Sequence, residues 1–145
     1  MRLLTVLPAL VMGLVLGAPL NAQACSLGDR QLTIQLDHGR AELGAQNARA
    51  LAEWFVQWRD GLGIESLIVV APVAQSQKQV ADARLQNVSR ILEGLNTGKA
   101  PISYEVELRS DAFPDARYLN SLDVSVQPAC LKSGTCCRGS NAESR

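Results

Sequence analysis

The stretch QKQVADARLQNVSRIL, residues 77–92, decides the fold of this chain. Its apolar residues recur at spacings of three and four, the period that brings side chains to one face of an α-helix. These residues are Val80, Ala81, Leu85, Val88, Ile91 and Leu92. Arg84 lies one position off the apolar stripe. The pattern predicts a helix that packs against a core and carries an arginine in its second turn.

A second apolar segment comes shortly before this helix. Residues 66–71 read SLIVVA, and short runs rich in β-branched residues are typical of buried strands. Pro72 and several polar residues follow, so a loop is predicted between the strand and the helix. A strand, a loop and a helix with an arginine together form a layout that is typical of binding sites.

The other segments also alternate between strand and helix patterns. Residues 31–36, 102–108 and 122–126 alternate polar and apolar side chains, as strands with one buried face do. Residues 42–58 carry a helical apolar stripe, in which core packing is expected of Trp54 and Trp58. The predicted fold class is therefore α+β, with the element order β-α-β-α-β-β.

The chain begins with the pattern of a secretory signal peptide. Arg2 supplies a positive charge, residues 3–16 are almost wholly apolar, and residues 22–24 (AQA) match the small-x-small cleavage pattern. We expect residues 1–24 to be removed and the mature, exported chain to begin at Cys25. Lipid attachment at Cys25 is the competing possibility, but the residues before it depart from a lipobox. No later stretch is apolar and long enough to span a membrane.

Length and charge narrow the class of protein further. Removal of residues 1–24 from the chain of 145 leaves 121 residues, enough for one domain, which we place at residues 25–131. A polar, cysteine-containing tail is expected at residues 132–145. The full chain has 14 basic and 14 acidic residues, and loss of Arg2 gives the mature chain a net charge of −1. This balance gives no electrostatic reason to expect a nucleic acid or an anionic membrane as partner.

The four cysteines of the chain are Cys25, Cys130, Cys136 and Cys137. In an exported protein an even set predicts disulfides, which here would tie the two termini together. Three full pairings are possible. A bond between the neighbours Cys136 and Cys137 would be strained, so each is expected to pair elsewhere. The one histidine, His38, is far away in sequence and no CxxC motif is present, so neither a metal site nor a cofactor is predicted.

No group of residues in the sequence favours an enzyme. His38 lies beside Gly39 in a turn, with no nucleophile motif around it. Glu105 and Glu107 alternate with apolar residues, which fits a solvated strand face better than a catalytic carboxylate pair. We therefore expect a protein without catalytic activity.

The helix and the segments around it resemble the OmpA-like peptidoglycan-binding domain family. The corresponding helix of that family reads roughly N-x-x-L-S-x-x-R-A-x-x-V-x-x-x-L. This chain has Gln77, Val80, Ala81, Arg84, Leu85, Val88 and Leu92 at those positions, so the frame and the arginine match, whereas the Asn, the Ser and the small residue after the arginine do not. Residues 34–43 stand where the family has a strand followed by G-S-A-x-L. The resemblance covers residues 32–126 and implies a mixed sheet with two helices on one face.

The resemblance also implies a binding site. In the family, the arginine at the position of Arg84 and an aspartate in the preceding loop grip the zwitterionic end of diaminopimelate in the peptidoglycan stem peptide. A guanidinium binds a carboxylate through two parallel hydrogen bonds, and a carboxylate meets an ammonium group. This chain has no acidic residue between Glu65 and Asp82, and Gln75 and Ser76 offer only neutral acceptors.

The candidate ligand-binding residues are thus Arg84, Gln75 and Ser76. The alternative for Arg84 is a surface arginine whose head pairs with Asp82 or with a helix terminus. Two functional hypotheses follow. The first is a non-catalytic exported module that associates with peptidoglycan in the periplasm or at the outer membrane. The second is a structural or interaction component of a secretion, conjugation or pilus apparatus that has lost peptidoglycan binding, with envelope proteins as its partners.

Overall fold

Four strands and four α-helices alternate in residues 30–136, the part of the chain that the computed structural model describes. In chain order they are β1 (Gln31–Gln35), α1 (Gly44–Asp60), β2 (Ile64–Ala74), α2 (Lys78–Leu95), β3 (Ile102–Arg109), α3 (Ala116–Leu119), β4 (Ser121–Pro128) and α4 (Ala129–Ser133). A single 3₁₀ turn, Gln75–Gln77, leads from β2 into α2. Apart from the short helices α3 and α4, this is the predicted order β-α-β-α-β-β.

The four described strands form one mixed sheet in the order β1-β4-β2-β3. The central strand β2 runs parallel to β3 and antiparallel to β4, and β4 runs antiparallel to β1. Val69 of β2 lies opposite Tyr104 of β3 on one side and opposite Val124 of β4 on the other. The predicted mixed sheet is thus confirmed.

One face of the sheet carries the core. Alternate residues of β2 are buried on this face, and both α1 and α2 cover it, as the resemblance implies. Trp54 and Trp58 of α1 are buried there with their rings edge to face, at a centroid distance of 6.5 Å. The prediction that these two residues pack in the core is confirmed. Leu85, where the family has a small residue, is also buried in this layer.

The opposite face of the sheet is polar. Gln31, Thr33 and Gln35 alternate along β1 with the buried side chains, so they project to this face. Asp123 of β4 lies opposite Thr33 and accepts a hydrogen bond of 2.5 Å from its hydroxyl group. Ile68 of β2 shares this face and is 44% exposed. Neither α1 nor α2 covers this surface, because most apolar residues of the strands point to the core face.

The predicted loop after β2 is wrong in its extent. The strand continues through Pro72 to Ala74, so only the turn Gln75–Gln77 separates it from α2. A proline lacks the N–H group that a central strand needs. Pro72 is accommodated because the pairing of β2 with β4 ends at Val70, beyond which only β3 lies alongside.

A disulfide closes the C-terminal part of the described chain. Cys130 in α4 is bonded to Cys136, and Gly134 ends the helix with a φ of +64°. Cys136 therefore does not pair with its neighbour, whereas Cys25 and Cys137 lie outside the described residues. The division into a domain of residues 25–131 and a tail from 132 stays a prediction, although α4 extends to Ser133. The predicted signal peptide also lies outside, and no helix within residues 30–136 has the length and hydropathy to cross a membrane.

Candidate functional site

Arg84 of α2 lies in the interior, with none of its surface exposed. Its guanidinium group donates to the two chain segments that flank α2 at this level. Nε donates to the carbonyl oxygen of Arg40 at 2.8 Å, and Nη1 donates to that of Leu119 at 3.1 Å. Nη2 donates to the side-chain oxygen Oδ1 of Asn120 at 3.1 Å and to the carbonyl oxygen of Asp37 at 3.4 Å. The side chain thus joins α2 to the β1–α1 connection and to the end of α3.

This arrangement uses most of the donor capacity of Arg84. A guanidinium group has five N–H donors, and four of them have acceptors within the protein. All four acceptors are neutral, so no carboxylate of the described residues compensates the charge. Burial without a counter-ion lowers the pKa of Arg84 from its ordinary value, because desolvation disfavours the charged form. A bidentate grip on a ligand carboxylate needs two free, adjacent donors, which Arg84 does not present here.

The interpretation of Arg84 as a surface arginine paired with Asp82 is wrong, because Arg84 is buried. Its pairing with a helix terminus is confirmed, because Nη1 donates to the carbonyl oxygen of Leu119, the last residue of α3. Asp82, the partner suggested for Arg84, accepts instead from Nζ of Lys78 at 2.9 Å, on the exposed side of α2. Side chains on a helix lean toward its N-terminus. At Arg84 this directs the guanidinium group between the β1–α1 connection and the β3–β4 connection. A position just off the apolar stripe of α2 is therefore buried by loops rather than by the sheet.

Ser76 lies in the turn between β2 and α2 and contacts an acidic residue that sequence analysis missed. Its main-chain N–H and its hydroxyl group both donate to Oδ1 of Asp111, at 3.0 and 2.8 Å. These two hydrogen bonds hold the pKa of the Asp111 carboxyl below its ordinary value, because they favour the charged form. Gln75, the other neutral candidate in this turn, is exposed. The turn has no acidic residue of its own, but the β3–β4 connection places the carboxylate of Asp111 beside it.

The parallel register of β2 and β3 explains this contact. Ala74, the last residue of β2, lies opposite Arg109, the last residue of β3, and Ser76 and Asp111 each follow two residues later. The ends of parallel neighbours meet at the same edge of a sheet, so the two connections emerge side by side. The sequence carried this signal, since Asp111 lies only three residues past the predicted strand 102–108 and could have been placed beside the turn by strand pairing.

The three connections around α2 also contact one another. Nε2 of Gln77 lies 3.4 Å from Nε2 of His38 in the β1–α1 connection, and Ser76 is joined to Asp111 in the β3–β4 connection. Together with the bonds of Arg84, these contacts bridge the place where the resemblance puts the zwitterionic ligand. A cavity of about 150 Å³ is lined by residues of the β1–α1 connection, Asp37 and Arg40 among them. Within residues 30–136, no group of three potential metal-ligating side chains lies together.

The fold and the site define an α+β domain of one mixed sheet, whose second long helix carries an arginine beneath the connections at one edge of the sheet. This is the OmpA-like fold. The structure is similar to the OmpA-like domain of FopA1 from Francisella tularensis subsp. tularensis SCHU S4, with a TM-score of 0.52 and 16% sequence identity, over 68% of this chain and 75% of that one. The fold that the resemblance predicts is thus confirmed, in a divergent form.

No protein-family model matches the sequence, and no curated protein matches it either. An identity of 16% shows the fold alone, so the assignment of Arg84, Gln75 and Ser76 to ligand binding stays a prediction.

Proposed function

We propose that this chain is a non-catalytic, exported module of the cell envelope that serves as a structural or interaction component of an envelope assembly. The observation that carries the proposal is the complete burial of Arg84, with four of its donors bound to neutral oxygens of its own chain. An arginine that grips a ligand carboxylate must be accessible from solvent. Here the same side chain supports the connections that would otherwise frame the site.

The energetic balance favours this interpretation. To reach a ligand, Arg84 would have to leave at least two of its acceptors, and each buried acceptor left without a donor costs about 1–3 kcal/mol. The connections would also have to separate where Gln77 meets His38 and where Ser76 meets Asp111. A small zwitterion would have to offset all of these losses on binding. The geometry therefore supports a closed, structural role for this region.

The absence of catalysis is part of the same proposal. His38 contacts the side-chain amide of Gln77 and no hydroxyl or thiol group of the described residues. Cys130 and Cys136 are joined in a disulfide and cannot act as thiolate nucleophiles. Neither a nucleophile with its base nor a metal-activated water has its protein groups assembled within residues 30–136.

Peptidoglycan association is the second candidate, and Asp111 favours it. Its carboxylate is exposed, and only Oδ1 accepts hydrogen bonds from the described residues. Its pKa is lowered by the hydrogen bonds from Ser76, which favour the charged form. An ammonium group of the stem peptide could thus be met by Asp111, in place of the loop aspartate that the family uses. The carboxylate of the stem peptide would then have to be bound by an exposed residue such as Arg40 rather than by Arg84.

Sedimentation with purified peptidoglycan separates the two candidates. The structural proposal expects the mature, oxidised protein to remain in the supernatant as an unrelated protein of similar charge does. Peptidoglycan association expects salt-sensitive retention that Asp111→Asn abolishes and Arg90→Ala preserves, since Arg90 is exposed on the far part of α2. Retention of this kind would overturn the structural proposal. Arg84→Ala is unsuited to this test, because its effect on folding would mimic loss of a site.

A photo-cross-linking experiment tests the assembly role directly. A photoreactive amino acid is placed at Ile68, on the open sheet face, and separately at Arg49, on the outer face of α1. The proposal expects at least one of these positions to give a discrete cross-linked envelope protein in intact cells, identified by mass spectrometry. Absence of any specific adduct from both positions and from a wider scan of exposed residues would contradict it.

A further inference from the structure

A pocket on the polar face of the sheet is lined by residues that take no part in the candidate site around Arg84. Thr33 and Gln35 of β1 and Asp123 of β4 form its floor. The β3–β4 connection forms its wall through Asp115, Arg117 and Tyr118. Its volume is about 320 Å³. Sites for small molecules begin at about 300 Å³, so the pocket can hold a ligand of the size of an amino acid or a dipeptide.

The charged groups of this pocket are of both signs and do not neutralise one another. Arg117, Asp115 and Asp123 all line the pocket. None of the three takes part in an ion pair within residues 30–136, so they are too far apart for direct contact. Because these oppositely charged side chains line one pocket without forming an ion pair, a ligand that carries both charges can bind between them.

These charged groups also retain hydrogen-bonding capacity. Oδ1 of Asp115 accepts from the main-chain N–H of Tyr118 at 2.9 Å, and Oδ1 of Asp123 accepts from the hydroxyl group of Thr33. The second oxygen of each carboxylate accepts no hydrogen bond from the described residues, and the guanidinium group of Arg117 donates none to them. The side-chain amide of Gln35 is likewise available at the pocket floor.

The wall of the pocket is held in place before any ligand binds. The hydroxyl group of Tyr118 donates to the carboxylate of Glu107 on β3, and the ring of Tyr118 packs beside the guanidinium group of Arg109. Behind it, the hydroxyl group of Ser121 donates to the carbonyl oxygen of Tyr118 at 2.8 Å. The side-chain amide of Asn120 donates to the carbonyl oxygen of Ala116 at 2.7 Å. A preformed wall lowers the ordering cost of binding.

We propose that this pocket binds a small zwitterion of the amino-acid class, either a free amino acid or a short peptide with both ends free. Arg117 binds the ligand carboxylate, and Asp115 or Asp123 binds its ammonium group. A guanidinium group suits a planar carboxylate, and carboxylate oxygens suit an ammonium group. The two kinds of ligand differ in the separation of their charges, which is short in an amino acid and longer in a dipeptide.

Titration of isotope-labelled protein, followed by its backbone amide signals, tests the proposal. The probes are L-alanine and L-alanyl-L-alanine, with N-acetyl-L-alanine and L-alaninamide as controls that lack one charge. The proposal expects saturable shifts confined to residues 31–35 and 115–123 with one zwitterion, and binding weakened about tenfold or more for each control, since a charge-assisted contact is lost. The zwitterion that saturates first identifies the kind of ligand.

Two variants distinguish the pocket from general surface binding. Arg117→Ala removes the guanidinium group without disturbing the wall, to which its side chain donates nothing. Asp115→Ser removes a charge but keeps a side-chain acceptor for the helix N-terminus. Arg117→Ala is expected to weaken binding about tenfold, and Asp115→Ser does the same if Asp115 rather than Asp123 binds the ammonium group. Arg49→Ala on α1 leaves binding unchanged. Equal affinity in Arg117→Ala, equal binding of zwitterions and controls, or no saturable shift with either zwitterion would overturn the proposal.

Discussion

Substitution of Arg84 by methionine isolates the structural role of its buried guanidinium group. Methionine keeps much of the length of the side chain but has no donor. The substitution leaves four acceptors without their partner, namely the carbonyl oxygens of Asp37, Arg40 and Leu119 and the amide oxygen of Asn120. At a net contribution of about 1 kcal/mol for each hydrogen bond, the total loss is about 4 kcal/mol.

Two effects alter this figure in opposite directions. Removal of a buried charge that has no counter-ion relieves a desolvation cost, the same cost that lowers the pKa of Arg84. The acceptors, however, lie in buried or half-buried surroundings where water replaces the lost donors only in part. We therefore expect Arg84→Met to lower the free energy of unfolding by about 3–5 kcal/mol. Typical domains have a total of about 5–15 kcal/mol, so this is a large share of their stability.

Urea denaturation of the oxidised protein, followed by far-UV circular dichroism, measures the effect. The expected result is a lower midpoint with an unchanged m-value, because the same surface is exposed on unfolding. Arg90→Met on the same helix is the matched control, since Arg90 is exposed, and its effect is expected within about 0.5 kcal/mol. An Arg84→Met variant as stable as the Arg90→Met control would refute the assignment of a structural role to Arg84.

Three further predictions concern the disulfides and Asp111. The loop that Cys130 and Cys136 close is short, with a sequence separation of 6, so replacement of both by serine is expected to cost about 2 kcal/mol in chemical denaturation. With Cys130 and Cys136 bonded to each other, the remaining cysteines of the chain, Cys25 and Cys137, are expected to form a second disulfide, which peptide mapping of the non-reduced mature protein would detect. This disulfide would close a long loop and contribute about 5 kcal/mol. If it is not found, reductant is expected to lower the stability only by the contribution of the short loop. The lowered pKa of Asp111 means that its stabilising effect is present above the unfolded pKa of about 4 and is lost as pH falls through the folded value. Asp111→Asn is therefore expected to lower the melting temperature at pH 7 and to match the unmodified protein at the acid end of a pH series; a constant difference at every pH would contradict this.

The order of the elements could be predicted from the sequence because each long element has a period of its own. Residues 77–92 repeat at helical spacing and residues 31–36 alternate, and both patterns depend only on which side of the element meets the core. The pattern also placed Trp54 and Trp58 in the core, where they lie. The end of β2 was misplaced because Pro72 is a strand breaker only where a neighbouring strand requires its N–H group.

The contacts inside the candidate site could not be predicted from the periodicity of the sequence. Periodicity reports which face of α2 meets the sheet, but the burial of Arg84 depends on connections that come from residues 37–40 and 119–120. Such contacts link residues far apart in sequence and leave no local repeat. Glu107 was likewise predicted to be solvated, yet it is half-buried, because Tyr118 of the β3–β4 connection and Arg109 of its own strand both bind it. That connection contains the four-residue helix α3, too short to give a periodic signal.

Asn120 connects the two faces of the sheet and makes their chemistry interdependent. Its side-chain oxygen accepts from Arg84 beneath the closed connections, while its side-chain nitrogen donates to Ala116 in α3. The guanidinium group of Arg84 also holds the carbonyl oxygen of Leu119, the last residue of α3. The arginine that the resemblance assigns to a ligand therefore fixes the wall of the pocket on the polar face. Since one donor cannot serve a ligand and these acceptors at once, a closed Arg84 site and a preformed pocket on the other face belong to the same conformation.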